Sequence, residues 1–343
     1  MATRLNLEEI GKLAGVSRST VSRVINGESN VSPEARARVE AVIAETGYRP
    51  HAAARSLASN RTGVVGLVIP SAVATLFDDP YFGRLILGVS NATQLAGTTL
   101  SLFLFREESE ESAIGSRVIG PGLVDGLIVT ATRMGDPLID ELVDVGMPFV
   151  IVGRPDDGRP VFSVDADNRG GARCAALHLA SHGYRRVGMI SPPSNTTAGV
   201  DRRAGFLEGA ADADLDVSGL LHEGDWSEAS AHAAMAQMLE SSSVEAVFVG
   251  SDRMAVGALR AIREAGLRCP EDVAVISFDG LLPPSQTMPR LTSVAQPVTD
   301  VGERAAALLN AVIEGELTTP EQIVLPTELV IRESCGTTEG NSS

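Results

Sequence analysis

The chain has few cysteines and few aromatic residues. Its 343 residues include three cysteines (Cys174, Cys269 and Cys335), one tryptophan and three tyrosines. Three widely spaced cysteines cannot form the disulfide framework that stabilises small secreted proteins. We therefore expect reduced thiols, which are typical of a cytoplasmic protein.

Long apolar runs are also absent. No apolar stretch follows Met1, and no run approaches the roughly 18 residues of a membrane span. The sequence therefore predicts a cytoplasmic protein with no membrane partner.

The sequence motifs of enzyme chemistry are missing as well. There is no P-loop, no Gly-x-Ser-x-Gly and no Gly-x-Gly-x-x-Gly after a strand. Cys174, His178 and His182 recur every four residues of a predicted helix, but a rise of about 1.5 Å per residue separates the outer two by about 12 Å. They cannot share one ion, and His178 and His182 alone would lack further ligands. We predict no catalytic residues, no cofactor and no metal site.

Positive charge is scarce except at the N-terminus. Residues 1–61 hold nine Lys/Arg and six Asp/Glu, whereas the remaining residues hold nineteen and thirty-eight. A basic head on a chain of net charge −16 concentrates affinity for phosphate at one end. This distribution favours a nucleic-acid partner over a generic three-helix bundle with a solvated basic face.

Three short helices are predicted within residues 1–49. Asn6 and Ser32 are N-cap residues, and Gly15 and Gly47 are left-handed stops, with Ser17 capping a second helix that begins at Arg18. Three such helices with arginines early on the second are typical of a helix-turn-helix that reads double-stranded DNA. The candidate DNA contacts lie on and around this second helix: Ser17, Arg18, Ser19, Thr20, Ser22, Arg23 and Asn26.

Residues 50–61 can form one more short helix, opened by Pro50. A helix of this length is marginal in water, since isolated helices need about 12–15 residues. Without DNA we expect little more than a linker.

Beyond Gly63 the pattern alternates strand and helix and then restarts. The apolar run Val187–Ile190 echoes Val64–Ile69, Glu245–Val249 echoes Asp125–Val129, and Val273–Ile276 echoes Phe149–Val152. Two similar α/β lobes in tandem are predicted, at about 62–160 and 163–290 with later crossovers.

A ligand cleft is expected where the carboxyl ends of the parallel strands face each other. An arginine, an aspartate and an indole there suit a polyhydroxyl ligand. Each of these residues also has a structural alternative. Arg202 and Asp279 could form a structural ion pair, and Trp226 could be a core residue. Phe82 could equally lie in the core or in the cleft. The candidate contacts fall after the strands and at helix starts: Ser71, Tyr81, Phe82, Thr130, Asp167, Arg202, Trp226, Ser251, Asp252 and Asp279.

Several segments resemble the lactose-repressor/galactose-repressor (LacI/GalR) family. They are Leu7–Ser17, Thr20–Gly27, Val31-Ser32 and Gly47–Pro50 in the head, and the resemblance continues to about Cys335. It implies an α/β fold with an N-terminal all-α head, in which a helix-turn-helix domain precedes a two-lobed periplasmic-binding-protein-like effector domain.

The resemblance also implies roles for individual residues. Residues 50–61 become a hinge helix that folds on the operator, with Arg55 and Leu57 on the DNA and Leu57 as a wedge in the minor groove. Arg202, Trp226 and Asp279 match effector contacts by motif, Phe82 and Asp167 match less firmly, and Ser251 replaces the usual asparagine. Independently of the resemblance, one helix-turn-helix covers only a half-site, which predicts a homodimer on a palindromic operator. The tail, 336–343, has no apolar heptads for a tetramerising coiled coil and is predicted to be disordered.

The predicted function is that of a transcriptional regulator, a repressor controlled by a sugar or sugar derivative. The alternatives are a regulator that needs a purine-type corepressor and a solute-binding module of a transport system. The predicted domains are 1–49 for DNA binding, 50–61 for the hinge, and 62–335 for effector binding and dimerisation.

Overall fold

A computed structural model describes residues 5–25, 30–48, 61–69, 79–104, 118–119, 122–130, 133–241 and 243–336. The chain divides into two compact units, residues 1–63 and residues 64–343. The predicted hinge helix and the tail from Thr337 onward lie outside the described residues. Within those residues, no helix has the length and apolar character needed to cross a membrane.

The first unit has the three helices that the sequence predicts: α1 (Leu7–Ala14), α2 (Arg18–Ile25) and α3 (Pro33–Thr46). Asn6 and Glu9 form a reciprocal capping box, and Gly15 ends α1 with φ 64°. Ser32 caps α3 by accepting from the Ala35 amide. One small apolar core holds the helices together, made of Ile10, Ala14, Val21, Val24 and Val39. The helix-turn-helix prediction is confirmed.

The second unit is built on two six-stranded sheets. All neighbours in the first sheet are parallel, in the order β11-β5-β4-β3-β1-β2. Its strands are β1 (Val64–Ile69), β2 (Thr99–Leu104), β3 (Gly126–Thr130), β4 (Phe149–Val152), β5 (Ser163–Ala166) and β11 (Gln322–Leu325).

The second sheet has the order β12-β10-β9-β8-β6-β7, with β12 antiparallel to β10. Its strands are β6 (Val187–Ser191), β7 (Leu221–Glu223), β8 (Ala246–Val249), β9 (Ala274–Asp279), β10 (Thr292–Ala295) and β12 (Glu328–Val330). The three pairs of echoing runs occupy equivalent positions: β1 and β6, β3 and β8, and β4 and β9. The predicted internal repeat is therefore confirmed.

Helices cover both sheets. The helices of the described part of this unit are α4 (Pro80–Leu95), α5 (Pro137–Val145), α6 (Asn168–Ser181), α7 (Thr197–Asp212), α8 (Glu228–Ser241), α9 (Asp252–Glu264) and α10 (Val298–Glu314). Although α10 comes late in the chain, Val301, Ala305 and Leu309 pack into the core of the first sheet.

The boundary between the lobes differs from the expected one. Because β5 (Ser163–Ala166) pairs with β4 and β11, the first lobe continues to Ala166 and the chain crosses over at Asp167, not at 160–163. The chain crosses again between β10 and α10, and once more between β11 and β12. The strand at 163–166 is short and contains Asp165, so its apolar pattern does not reveal which sheet it joins.

Candidate effector and DNA-binding sites

The second helix of the head presents an exposed polar surface. Arg18, Ser19 and Arg23 are exposed, whereas Val21 and Val24 face the core. Ser17 accepts from the Thr20 amide at 3.1 Å, and its hydroxyl lies within hydrogen-bond distance of the Ser19 and Thr20 hydroxyls. Those hydroxyls therefore order the start of α2. Ser22 and Thr20 are half-buried.

Four candidate residues lie outside the described part of the chain: Asn26, Arg55 and Leu57 for DNA, and Ser71 for the effector.

The centre of the second-lobe site is Arg202, a buried arginine on α7 that is 3% exposed. Its Nε donates to Asn168 Oδ1 at 2.9 Å, and its Nη1 donates to the Gly250 carbonyl at 2.5 Å and to Asp279 Oδ1 at 3.0 Å. A buried guanidinium is stable only with such partners, because its charge has lost water. Arg202 therefore joins three loops at the carboxyl ends of strands.

Asp279 ends β9 in a backbone conformation that disfavours non-glycine residues, with φ 108°. Besides the bond from Arg202, its carboxylate accepts from Gln296 Nε2 at 2.8 Å and from the Asp252 amide at 3.4 Å. Burial raises the pKa of Asp279 to about 7, and the negative charges of Asp252 and Asp79 add to this against the lowering effect of Arg202. The carboxylate is thus both fixed in place and close to titration at neutral pH.

Two aromatic rings lie against Arg202. Its guanidinium carbon is 3.8 Å from the centre of the Phe278 ring and 5.6 Å from that of Trp226. Trp226 lies in the loop between β7 and α8 with φ 71°, and it is half-buried against the second-lobe core. The single tryptophan is therefore a loop residue with one side packed, next to the buried cation.

Ser251 and Asp252 lie at the start of α9, and the side chains of both form hydrogen bonds with other groups of the protein. The Ser251 hydroxyl caps the helix by accepting from the Met254 amide at 3.2 Å. The two Asp252 oxygens accept from Ser277, Ser293, Leu281 and Leu282, at distances from 2.5 to 3.2 Å. Asp252 thus holds the loop after β9 in place. The sequence predicted Asp252 only as a ligand contact and not in this structural role.

Near the predicted contact Asp167, the structure adds Asn168 and Asp165, which are not among the predicted effector contacts. Asp167 caps the helix by accepting from the Gly170 amide at 2.8 Å. Asn168, the next residue, accepts from Arg202 and donates to Asp165 Oδ1 at 3.0 Å. Burial raises the pKa of Asp165 to about 6, with a further contribution from Asp201. Two features of the sequence could have indicated these residues. Asp165 is a charged residue inside the short strand β5, and Asn168 is a polar residue directly after the predicted contact Asp167.

The contacts between Asp165, Asn168, Arg202, Asp279 and Gln296 form one continuous network. Asp165 belongs to the first lobe and Asn168 to the second, so the network crosses the first connection between lobes. Gln296 lies on the second connection, between β10 and α10. Arg202 is therefore connected to side chains located where the chain passes between the lobes.

The first lobe contributes the start of α4. Asp79 caps this helix by accepting from the Tyr81 amide at 3.0 Å, and Tyr81 and Asp79 both lie within the electrostatic reach of Arg202. Burial raises the pKa of the Tyr81 hydroxyl, which lies beside Thr130 at the end of β3. Thr130 is fully buried, and within the described residues its hydroxyl forms no well-aligned hydrogen bond.

Phe82 lies in the core rather than at the surface of the cleft. It is 7% exposed and packs with Leu85 and Val89 of its own helix in the first-lobe core. Tyr81 meets it edge to face, with ring centres 5.4 Å apart. Tyr81 is half-buried and packs against the same core, and it also lies within the electrostatic reach of Arg202 and Asp279. Of the two interpretations of Phe82, the structure has the core position.

The lobes also contact each other directly at this edge. Arg154, which follows β4, donates from Nε and Nη2 to the two oxygens of Asp201 on α7, at 2.6 and 2.8 Å. Beside it, the Met134 amide donates to the Asn195 carbonyl at 2.8 Å. A bidentate arginine–carboxylate pair has a defined geometry, so these contacts hold the two carboxyl edges together around the polar network.

Gly205 positions Arg202 by allowing α7 to lie close against α6. A methyl group at Gly205 would come within 2.0 Å of the Arg169 carbonyl oxygen, which is backbone and cannot turn away. We predict that Gly205→Ala destabilises the protein by about 1–3 kcal/mol, as overpacking typically does. Thermal unfolding followed by circular dichroism measures this.

The matched control is Gly83→Ala on α4. Apart from its chain neighbours and its own helix backbone, no atom of the described residues lies within 4 Å of the added methyl group. Alanine in an exposed helix position should leave stability unchanged or raise it by about 0.5–1 kcal/mol. Equal unfolding midpoints for the two variants would contradict the close-packing argument.

A helix-turn-helix head, followed by two α/β lobes with a polar site at their facing edges, defines the class of ligand-responsive DNA-binding proteins. Residues 6–51 match the family described as bacterial regulatory proteins, lacI family, and residues 176–335 match the periplasmic binding protein-like domain. The chain is 41% identical over 337 residues to the HTH-type transcriptional regulator CelR of Thermobifida fusca, covering 96% of this chain and 98% of that one. It belongs to the lacI family and is a DNA-binding transcriptional regulator.

Two solved structures agree with this assignment. The transcriptional regulator CelR–cellobiose complex has a TM-score of 0.77 at 38% identity, covering 96% of this chain and all of that one (100%). The lac repressor dimer bound to operator and the anti-inducer ONPF has a TM-score of 0.85 at 27% identity, covering 97% and 99% of the two chains.

Proposed function

We propose that this regulator is a repressor whose affinity for its operator is controlled by a sugar or sugar derivative bound between the lobes. The observation that carries the proposal is the pairing of Arg202 with Asp279 beside Trp226, at the carboxyl ends of the strands. Charged groups of this kind can bind neighbouring hydroxyls, and an indole can cover the apolar face of a sugar ring.

Cellobiose is the first candidate for the effector. A relative of this chain at 38% identity was solved in complex with it, and the polar network here has the donors and acceptors that a disaccharide needs. Tyr81 and Asp79 from the first lobe and Trp226 from the second would then contact opposite sides of the ligand. Asp167, Ser251 and Asp252 would support the site, since their side chains hold helix starts and loops.

On the DNA side, we propose that residues 1–49 bind one half of a palindromic operator and that the protein acts as a homodimer. One helix-turn-helix covers a half-site, so two heads related by a twofold axis are needed for specific binding. In this layout 50–61 form the hinge, 62–335 bind effector and dimerise, and the protein works in the cytoplasm without turning over its ligand.

A panel of ligands tests the proposal. Thermal unfolding should be measured with cellobiose, other mono- and disaccharides, and purine bases, because a bound ligand raises the melting temperature by mass action. A shift with a sugar, and a change in operator binding with the same sugar, is the expected result. If only purines raise the melting temperature, the effector is a purine corepressor and not a sugar. If the protein turns over its ligand, it is an enzyme.

The titration of Asp279 and Asp165 gives this site a pH dependence. Sugar hydroxyls donate to carboxylates, so effector affinity should rise as the pH increases through about 6–7, where burial places the pKa values of these groups. The stability of the ligand-free protein changes with pH in the opposite direction. The raised pKa values make the folded state bind protons more tightly than the unfolded chain, so this contribution to stability is fully present below the ordinary carboxyl pKa of 3.8 and is lost as the pH rises from there to the folded values of about 6–7.

Isothermal calorimetry at about pH 5.5 and pH 8 measures the affinities. Asp279→Asn is the control, because it removes one of the two titrations and should flatten the profile. An affinity that is the same at both pH values in the parent protein would show that these carboxyl groups do not contact the effector.

A further inference from the structure

Two histidines and a cysteine, residue types that can bind a metal ion, meet at the end of α6, far from the cleft. His178 and His182 lie on the last turn and cap of this helix, and Cys335 comes from the short 3-10 turn Glu333–Cys335 near the end of the chain. One donor atom from each lies within 4.8 Å of the others. We propose that these three residues bind a zinc ion that joins the C-terminal segment to α6.

The separations suit zinc. Zn–N bonds of about 2.0–2.1 Å and Zn–S bonds of about 2.3 Å at tetrahedral angles place the nitrogen and sulfur about 3.5 Å apart. His178 Nε2 lies 3.4 Å from Cys335 Sγ. The donor atom of His182 lies within 4.8 Å of those two atoms, and its ring is exposed. Two imidazoles and one thiolate leave a fourth position for water.

Neighbouring groups orient the ligands. The Nδ1 of His182 donates to the His178 carbonyl at 3.0 Å, which places the lone pair of the neutral ring on Nε2. The Thr292 hydroxyl is 3.1 Å from Cys335 Sγ and can donate to a thiolate. Hydrogen bonds of this kind fix the tautomer of a histidine ligand and stabilise the sulfur anion.

The electrostatics favour a cation here. The ring of His178 is half-buried beside the Cys335 thiol. The site is at the C-terminal end of α6, where the helix dipole is negative. Tyr184 stands beside Cys335, with its hydroxyl 3.4 Å from the Cys335 carbonyl, and adds no positive charge at neutral pH.

The position of the site determines its role. Ten residues of α6 separate His178 from Asn168, a distance of about 15 Å along the helix, so the ion would lie well away from the effector. It would instead tie Cys335 to a helix 157 residues earlier in the chain. We expect zinc to stabilise the second lobe, because a ligand that binds only the folded state raises its stability.

This site revises the interpretation of the histidine spacing. The sequence offers Cys174 as the third member of the helical series, and that residue is too far along the helix to share an ion with His182. Cys174 is exposed, and it is not among the clustered donors. The thiol that completes the cluster is Cys335, 157 residues after His178 in the chain. The spacing of residues along one helix cannot indicate such a distant partner.

The test uses the full-length chain without a polyhistidine tag. Zinc affinity and stoichiometry are measured by competition with a chromophoric chelator, and cobalt replaces zinc to report a sulfur ligand through its thiolate-to-metal absorption band. We expect one equivalent of zinc, the cobalt band, and a zinc-dependent rise in the melting temperature. Cys174→Ser and His232→Gln, which change a cysteine and a histidine outside the cluster, should retain all three.

His182→Gln should weaken zinc binding by more than about tenfold, since one of three ligands is lost. It changes an exposed residue, so it preserves the fold even if Cys335→Ser, at a buried position, does not. Where Cys335→Ser folds, the cobalt band should disappear. No zinc binding by the parent protein, or equal binding by His182→Gln and the parent, would overturn the proposal.

Discussion

Arg202→Ala will abolish the response to the effector and lower the stability of the second unit. The substitution removes the donors to Asn168, Gly250 and Asp279 together, and it leaves the Asp279 carboxyl group buried without its cation. Breaking a buried ion pair by removing one partner typically costs about 3–5 kcal/mol. The melting temperature should fall by several degrees, and addition of the effector should no longer raise it.

The control is an exposed ion pair in the same lobe. Arg268 pairs with Asp272, four residues later in the turn before β9, at 3.2 Å, and 70% of the Arg268 side chain is exposed. Exposed pairs contribute little to stability, so Arg268→Ala should leave both the melting temperature and the effector response as in the parent. If Arg202→Ala still responded fully to the effector, the binding site would have to lie elsewhere.

The second large effect is expected at Arg18, early on the exposed side of α2. An arginine that reads a guanine through two hydrogen bonds contributes about 1–3 kcal/mol of discrimination against other bases. Arg18→Ala should lose that discrimination at one base step in each half-site. The measurement compares affinities for an operator selected from a random-sequence library and for operators changed at single positions.

Arg38→Ala on α3 is the matched control, because it removes the same charge from an exposed position outside the second helix. Any loss it causes should be similar for operator and random DNA. If Arg18→Ala also lost affinity equally for both, Arg18 would contact phosphate and would not read a base.

The head and the strands could be predicted from the sequence because their signals are local. Asn6, Gly15, Ser32 and Gly47 act on the backbone within a few residues of their own positions, so caps and stops define the helices before any tertiary contact is known. The apolar runs at β1 and β6 likewise form buried parallel strands because of their own composition.

The site could be predicted only in part, because its network depends on contacts between distant segments. Arg202 and Asp279 stand out by motif, but the hydrogen bonds of Asn168, Asp165 and Gln296 require knowledge of how β5 and β10 lead into the neighbouring lobe. The same limit applied to the crossover after Ala166, where register with β4 decides which sheet the strand joins.

Phe82 shows why the direction of a side chain is harder to predict than its position. The sequence places Tyr81 and Phe82 together at the start of α4, and nothing in the local pattern says which one faces the core. Packing with Leu85 and Val89 decides it. Cys335 is a similar case, since only the fold brings it to His178.

The central claim is that one ligand site in the second unit controls affinity for DNA. The direct measurement is an anisotropy titration of the selected operator with the parent protein, with and without saturating cellobiose or the sugar that the panel identifies. We predict a change in operator affinity of about 5–150-fold, and linkage requires that operator change the affinity for that sugar by the same factor. A sugar that binds the protein and leaves the operator affinity unchanged would contradict the claim.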